Sequence, residues 1–427
     1  MSSSTPRIAI VGAGPGGLLL ARYLQIHSIP CAVYERESSR HVRSQGGSLD
    51  LHVESGQRAL KDVGLFDQFK KLARTEGEQL KIIDKTGALL FDSPPGGGGG
   101  RPEIDRTELR DMLLDSLEPD TVKWDHFVSA TPIPSSSGYT LTFANRPCAT
   151  VDILVGADGA WSHIRPLLTS VRPLYSSITF IELSISNIKR HPHLISLIGN
   201  GMAFIMSEGK GIIPQRNSSG TVKVYVGLQV PENWLEQNPL PSNASAAKDF
   251  VAGLFPGWNT ELLELIHAAD NEPIVGRKIY ALPPDLTWST DSKGIALLGD
   301  AAHVMSPFAG QGVNLALLDA SEIGAALVEA LAPKTRKSEP PLSLQETLAE
   351  VDKGFRNYEL AMWKRAQKNG RKSAASLDFM FADDSPAGIV KFFNSFGPPP
   401  PPPPMLPPLI LDSGDSKGFG QGNSEYI

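Results

Sequence analysis

The sequence predicts an α/β fold with a β-rich insertion and a C-terminal helix, and three observations point to it. A short apolar strand, Ile8-Ala9-Ile10-Val11, runs into a glycine turn and then an apolar helix. A second apolar strand, Ile295 to Leu298, runs into another glycine-rich loop and a long apolar helix from Gly312 to about Leu331. Continuous apolar runs of this length suit parallel strands buried on both faces. Between them, residues 172 to 280 change character: extended stretches such as Ser177 to Ile185 and Val222 to Leu228 are joined by Gly, Asn and Ser turns.

Length and composition exclude several classes of function. A chain of 427 residues has room for two to three domains, and 41% apolar with 20% charged residues is ordinary for a soluble globular protein. The net charge of -6 leaves no excess of Lys and Arg to displace counterions from nucleic-acid phosphates. The N-terminal apolar stretches are short and split by glycines, so neither a signal peptide nor a membrane span is expected, and the chain reads as cytoplasmic. Two cysteines, Cys31 and Cys148, make no disulfide framework and no metal pattern.

In chain order, Leu18 to Ile26 is read as a helix and Ala32-Val33-Tyr34 as the second strand, closed by Glu35. Gly46 to His52 alternates like a strand, and a helix follows from Ser55. Residues 94 to 100 form a flexible Pro/Gly loop. Asp105 opens a helix with Glu108 as its capping-box partner. Strands are expected at Tyr139 to Phe143 and Val151 to Val155, and residues 344 to 395 read as mostly helical. Seven prolines, Pro398 to Pro404, end regular structure and begin a tail expected to be disordered, with the alternative of a polyproline ligand for a partner. The resulting boundaries are 1–171 with 281–335 for a discontinuous nucleotide-binding domain, 172–280 for a β-rich substrate domain, 336–396 for a helical region and 397–427 for the tail.

Gly12-Ala13-Gly14-Pro15-Gly16-Gly17 fits GxGxxG between a strand and a helix. In that setting Gly12 makes the tight turn, Gly14 admits a pyrophosphate to the backbone and Gly17 lets helix and strand pack closely. Glu35 stands 23 residues past Gly12, at the end of the second strand. A carboxylate there accepts hydrogen bonds from ribose hydroxyls and repels a 2′-phosphate, so the bound nucleotide is FAD or NAD rather than NADP. The second run, Gly299-Asp300-Ala301-Ala302-His303 to Pro307-Phe308-Ala309-Gly310-Gln311-Gly312-Val313-Asn314, puts Asp300 directly after a buried strand, where open α/β sheets bind ligands. Gly310 and Gly312 let backbone approach a flat ring, and the helix from Gly312 would point its positive end at the charge of a reduced flavin. His303 is read as a packed histidine rather than a catalytic one.

Together, GAGPGG, Glu35, the VGADG run at Val155 to Gly159 and GDAAH…PFAGQGVN resemble the class A flavoprotein aromatic hydroxylases. Within that class Tyr34 to His52, Ser55-Gly56-Gln57, Glu103 to Arg106, Asp120 to Asp125 and Gly299 to Asn314 are similar to the tetracycline-inactivating flavin monooxygenases, over roughly residues 7 to 330. The resemblance implies a Rossmann-type FAD-binding domain with an inserted substrate domain. It implies that Glu35, with neighbouring Arg36, binds the adenosine end of FAD and that Asp50 and Arg106 contact FAD. Asp300 would hold the ribityl or pyrophosphate part, followed by Pro307, Gly310 and Gly312. Arg43 would meet NADPH, and Asp158 with Gly159 would support both nucleotides.

The family's reaction would have NADPH or NADH reduce FAD, O2 add at flavin C4a and one oxygen pass to an aromatic or polyketide-like molecule, with no side-chain nucleophile. A single GxGxxG fits this class, because two-dinucleotide reductases carry a second fingerprint. A flavin dehydrogenase or oxidase on the same fold is the alternative, and an FAD-binding scaffold a third reading. Glu182, Met202 and Ser207 stand at polar positions of the tetracycline enzymes' substrate site without the Arg and His found there, so tetracycline is not the expected substrate.

Overall fold

A computed structural model describes residues 6–42, 46–93, 100–134, 138–144, 146–272, 274–331 and 342–395. Arg43, most of the 94–100 loop and the proline run lie outside the described residues.

The first sheet has five parallel strands in the order Ile295–Leu297, Ile153–Gly156, Ile8–Val11, Cys31–Tyr34 and Val122–Lys123. The first three strands of this order are apolar and buried along their length, inside a core that also holds Leu18, Leu19 and Leu20 of a helix and Tyr139, Leu141 and Phe143 of an antiparallel strand. Helices Pro15–Ile26 and Gly312–Leu331 pack together beside the sheet. Their approach is close: a methyl group on Gly16 would stand 2.7 Å from the Leu298 side chain and 3.0 Å from the Ala316 carbonyl.

The strand expected over Val151 to Val155 is two strands. Arg146–Val151 belongs to a three-stranded antiparallel sheet with Tyr139–Phe143 and Val128–Pro132, and Ile153–Gly156 belongs to the parallel sheet. Asp152 makes the break, accepting hydrogen bonds from Arg7 N at 2.8 Å, Nε at 3.0 Å and Nη2 at 2.9 Å. The capping box expected at Asp105 also fails. The helix does start at Arg106, but the Asp105 carboxylate makes no cap and is taken by Ser218 N at 3.0 Å, Ser218 Oγ at 2.6 Å and Arg74 Nη2 at 3.1 Å.

The second sheet has seven strands: Val275–Ala281, Leu174–Ile185, Val222–Gln229, Lys210–Arg216, Met202–Ser207, Leu80–Ile83 and Leu89–Asp92. Its last two strands come from well before the β-rich stretch read from the sequence. Side chains alternate between its faces. Ile181, Leu183, Ile205, Ile212, Val224 and Val226 meet Val251, Phe255, Leu262 and Leu265 of the covering helices and loops. Ile82, Ile178, Phe180, Met206 and Ile213 face the other way, with Phe308, Met380 and Phe381 packed on them. The helix Leu344–Met380, opened by a capping box between Ser343 and Glu346, spans both bodies: its Tyr358 hydroxyl donates to the Leu297 carbonyl at 2.8 Å.

Candidate active site

The expected cofactor residues gather along one edge of the parallel sheet. Gly12, Glu35, Asp158 and Asp300 each follow the C-terminal end of a strand, and those four strands are neighbours. The two outer glycines of the first motif are required by packing. Gly12 has φ +111°, and a Cβ on it would lie 2.3 Å from the Ala157 carbonyl oxygen; one on Gly17 would lie 2.1 Å from the Gly12 carbonyl oxygen. Gly14 differs, since a Cβ there meets nothing within 4 Å. No protein atom requires glycine at Gly14, so its bare face suits a ligand, and it stands at the uncapped N-terminus of helix Pro15–Ile26.

Glu35 is 9% exposed and its carboxylate locks the turn, Oε2 accepting from Ala13 N at 2.7 Å and Oε1 from Glu37 N at 2.9 Å. The nearby arginines are engaged or turned outward: Arg40 pairs with Asp111 and Asp115, and Arg36 is exposed. Asp158 accepts from the His163 amide at 2.7 Å, while its Oδ1 is buried without a partner among the described residues. Burial pushes this carboxyl up, against its hydrogen bonds to Ser162 and His163. An unsatisfied buried oxygen here, beside the open backbone of Gly159, fits a group with hydroxyl donors.

The second motif builds the opposite wall. Asp300 is exposed at the start of the short helix Asp300–His303. Pro307 opens a 3-10 turn, Gly310 ends it in the left-handed region at φ +63°, and Gly312 starts the long helix. Asp50 sits across from Gly310; a Cβ on that glycine would be 3.4 Å from Asp50 Oδ1. Asp50 ends the strand Ser48–Asp50, which pairs antiparallel with Glu103–Asp105. Arg106 begins the next helix, exposed, with its side chain 3.7 Å from where a Cβ on Gly46 would lie.

Three residues that hold this site went unread in the sequence. Arg110 is buried and donates to the carbonyls of Ala13 at 3.2 Å and Arg40 at 2.9 Å and to Glu37 at 2.9 Å, tying the glycine turn to its helix. Arg165 is buried and joins the two motif loops through the Ala160 carbonyl at 2.7 Å and the Ala301 carbonyl at 3.0 Å. Asn314 is fully buried; Nδ2 donates to the Asp50 carbonyl at 2.8 Å and Oδ1 accepts from His52 N at 2.8 Å. The available signal was an arginine beside the apolar stripe Leu109, Met112 and Leu113; Asn314 carried none beyond its place in the glycine run.

His303 is buried as expected, with Nε2 2.6 Å from Asp319 Oδ2. Asp319 also accepts from Gly299 N at 3.1 Å and Arg365 Nη2 at 3.2 Å, so this network holds the turn that presents Asp300.

Behind Asp50 the Glu103 carboxyl is pushed up to about 7, by burial first and then by the charges of Asp50 and Asp105, against Ser48 and Arg74. The native state then holds a proton that the unfolded chain releases, so stability falls as pH rises toward 7. Glu103→Gln is expected to stabilise the protein at pH 8 by up to about 3 kcal/mol and to change little at pH 5, read as Tm at the two values.

Residues 5–122 and 274–338 match the family described as FAD binding domain. A monooxygenase of Penicillium thymicola, penA, is 32% identical over 85% of this chain and 93% of its own. The chain belongs to the FAD-dependent monooxygenases. This monooxygenase is also 30% identical to the 3-amino-4-hydroxybenzoate 2-monooxygenase PtnB3 of Streptomyces platensis, over 75% of this chain and 79% of that one. Its fold is shared with the tetracycline destructase Tet(55), with TM-score 0.67 and 22% identity over 92% of this chain and 96% of that chain. The monooxygenase acts on a small molecule with FAD as cofactor, and NAD(P)H is the reductant typical of its family. Among the described residues no helix is long and apolar enough to cross a membrane and no group of side chains could hold a metal ion.

Proposed function

We propose that the chain holds FAD along the strand ends and oxygenates an apolar, ring-bearing molecule between the cofactor loop and the flavin-side face of the seven-stranded sheet. Glu35 receives the adenosine ribose, the amides after Gly14 receive the pyrophosphate, and Asp300, Asp50, Arg106 and Gly310 surround the ribityl chain and ring. Asp158 and Gly159 serve both nucleotides, and Arg43 meets the nicotinamide nucleotide. Bound FAD supplies electron transfer from NAD(P)H and the activation of O2. The protein's own share is position and dryness.

The observation that carries the substrate reading is Phe308. It lies inside the cofactor loop, yet its ring packs edge-on against Phe180 of the sheet at 5.9 Å and against Phe381 at 5.4 Å. Phe180 in turn meets Tyr225 at 5.8 Å. An aromatic wall therefore joins the two bodies where ring and substrate would meet, and aromatic faces hold flat apolar molecules. Polar groups on that face include Glu182, cross-strand from Tyr225 and paired with Arg277 at 2.7 Å, and Gln215, which accepts from Ser48 N at 3.1 Å and donates to the Ser48 carbonyl at 3.2 Å. Ser207, the last residue of its strand, falls on the helix-covered side with Ile205, while Met202 and Met206 face the flavin side. This supports an aromatic or polyketide-like substrate other than tetracycline.

The test is NADPH consumption by the flavin-loaded protein with and without phenols and polyketides, under labelled O2. One labelled oxygen atom in the product is the expected result. Hydrogen peroxide in strict stoichiometry with an oxidised, unlabelled product would replace oxygenation by the oxidase alternative. Work in the cytoplasm and recruitment of a partner through Pro398 to Pro404 are further parts of this reading, and they rest on the sequence.

A further inference from the structure

Each turnover of an NAD(P)H-driven monooxygenase takes one proton from solution. The hydride supplies two electrons, one oxygen atom enters the substrate, and the other leaves as water. The chain therefore needs a route from solvent to the cofactor loop. Glu54, His52 and Asp50 form a line with the right ends. The Glu54 side chain is 75% exposed, His52 only 1% and Asp50 30%. His52 Nε2 lies 2.8 Å from Asp50 Oδ2, and its Nδ1 lies 3.7 Å from Glu54 Oε1. Asp50 in turn faces Gly310.

The second ring nitrogen makes this more than an ion pair. Gln311 Nε2 stands 3.4 Å from His52 Nδ1. In the neutral ring Nδ1 accepts from Gln311 while Nε2–H donates to Asp50; in the charged ring Nδ1–H faces the Glu54 carboxylate 3.7 Å away, an ion-pair distance, and the Asp50 bond is kept. Both protonation states thus have a partner at each nitrogen, which a histidine held for packing alone does not need. Asn314 fixes the backbone on both sides, through the His52 amide and the Asp50 carbonyl. Glu103 stands cross-strand from Asp50 near the line, with Arg74 and Asp105 beyond it.

We propose that Glu54, His52 and Asp50 are the route by which the solvent proton reaches the cofactor loop, with His52 as the relay. His52 takes a proton on Nδ1 and gives one from Nε2 to Asp50 Oδ2. Asp50 would pass it to the oxygen that is released, as water when substrate takes the other atom and as hydrogen peroxide when no substrate is present, with the electrons supplied by NAD(P)H. The inference rests on the assignment of Asp50 and Gly310 to the flavin ring.

NADPH and O2 alone test it, because forming hydrogen peroxide from them consumes one proton as well. His52→Gln keeps a hydrogen-bonding side chain beside Asp50 but cannot carry a proton. It is expected to keep its FAD and its anaerobic reduction by NADPH, to lose about 100-fold or more in aerobic NADPH consumption at pH 8, and to show a larger solvent deuterium isotope effect. Glu54→Gln, at an exposed position, is expected to lower the same rate severalfold and to shift its pH profile. A His52→Gln enzyme that keeps FAD and the wild-type aerobic rate overturns the relay. So does one that loses FAD while Glu54→Gln keeps the wild-type rate, pH profile and isotope effect; a changed isotope effect in Glu54→Gln supports it even then. Wild-type protein that binds no flavin, or is not reduced by NADPH, would instead sink the cofactor assignment.

Discussion

Gly17→Ala is expected to give a protein without flavin and with a large loss of stability, of about 3 kcal/mol or more. The new methyl group would lie 2.1 Å from the Gly12 carbonyl oxygen and 3.2 Å from the Ala157 side chain. The first contact is with backbone in the central strand's own turn, so relief requires the helix Pro15–Ile26 to move off the sheet. That movement carries the amides after Gly14 out of register with a pyrophosphate. Gly14→Ala is the control that separates the two effects. Its φ of -78° suits alanine and its surroundings are open, so Tm of the flavin-free protein should stay within about 0.5 kcal/mol of wild type while FAD binding weakens strongly. Equal losses of stability in the two variants would mean that Gly14 is a packing residue, and the pyrophosphate would have to be placed elsewhere.

Asp319→Ala is expected to cost about 3–5 kcal/mol, because it strands the buried charge of His303 and removes one of the acceptors of Arg365. The same change frees the Gly299 amide, so flavin affinity should fall with stability. Burial alone would push His303 down, but the charge and hydrogen bond of Asp319 outweigh it and hold the imidazole up. Burial would likewise push Asp319 up, but His303 and then Arg365 outweigh it and hold the carboxyl down. The histidine's contribution is complete below its ordinary value near 6.5 and is lost as pH rises through the raised native value. The aspartate's contribution is complete above its ordinary value near 3.9 and is lost as pH falls through the lowered native value. Wild-type Tm should therefore hold up between those limits and sag on the alkaline side, and the Asp319→Ala curve should be flatter there. Parallel curves for the two proteins would show that the pair does not titrate with folding.

The nucleotide-binding half was legible because its signals are local. GxGxxG, the strand before it and Glu35 lie within one stretch of chain, and the reasons for glycine at Gly12 and Gly17 are backbone contacts that the motif itself encodes. Asp300, Gly310 and Gly312 were legible for the same reason. The hairpin Leu80–Asp92 was not, since its strands are short and its partner, Met202–Ser207, lies far along the chain. Nor was the break at Asp152, which is set by Arg7 from the other end of the unit. Arg110, Arg165 and Asn314 escaped notice because each acts on backbone carbonyls or amides of distant segments. A sequence pattern records which residues are glycine far better than it records which carbonyl a buried arginine reaches.

The placement of that early hairpin limits how a substrate can get in. The chain passes from the parallel sheet to the large sheet after Leu72, returns after Asp92, passes across again before Leu174 and returns after Ala281. Four crossings, with the helix ending at Met380 laid over the seam, stitch the two bodies as two parallel threads in each direction. Hinge opening of the kind a single linker permits would have to bend all of them together. Admission therefore falls to small movements of side chains at the seam, where half-buried Phe308 packs on the buried ring of Phe381.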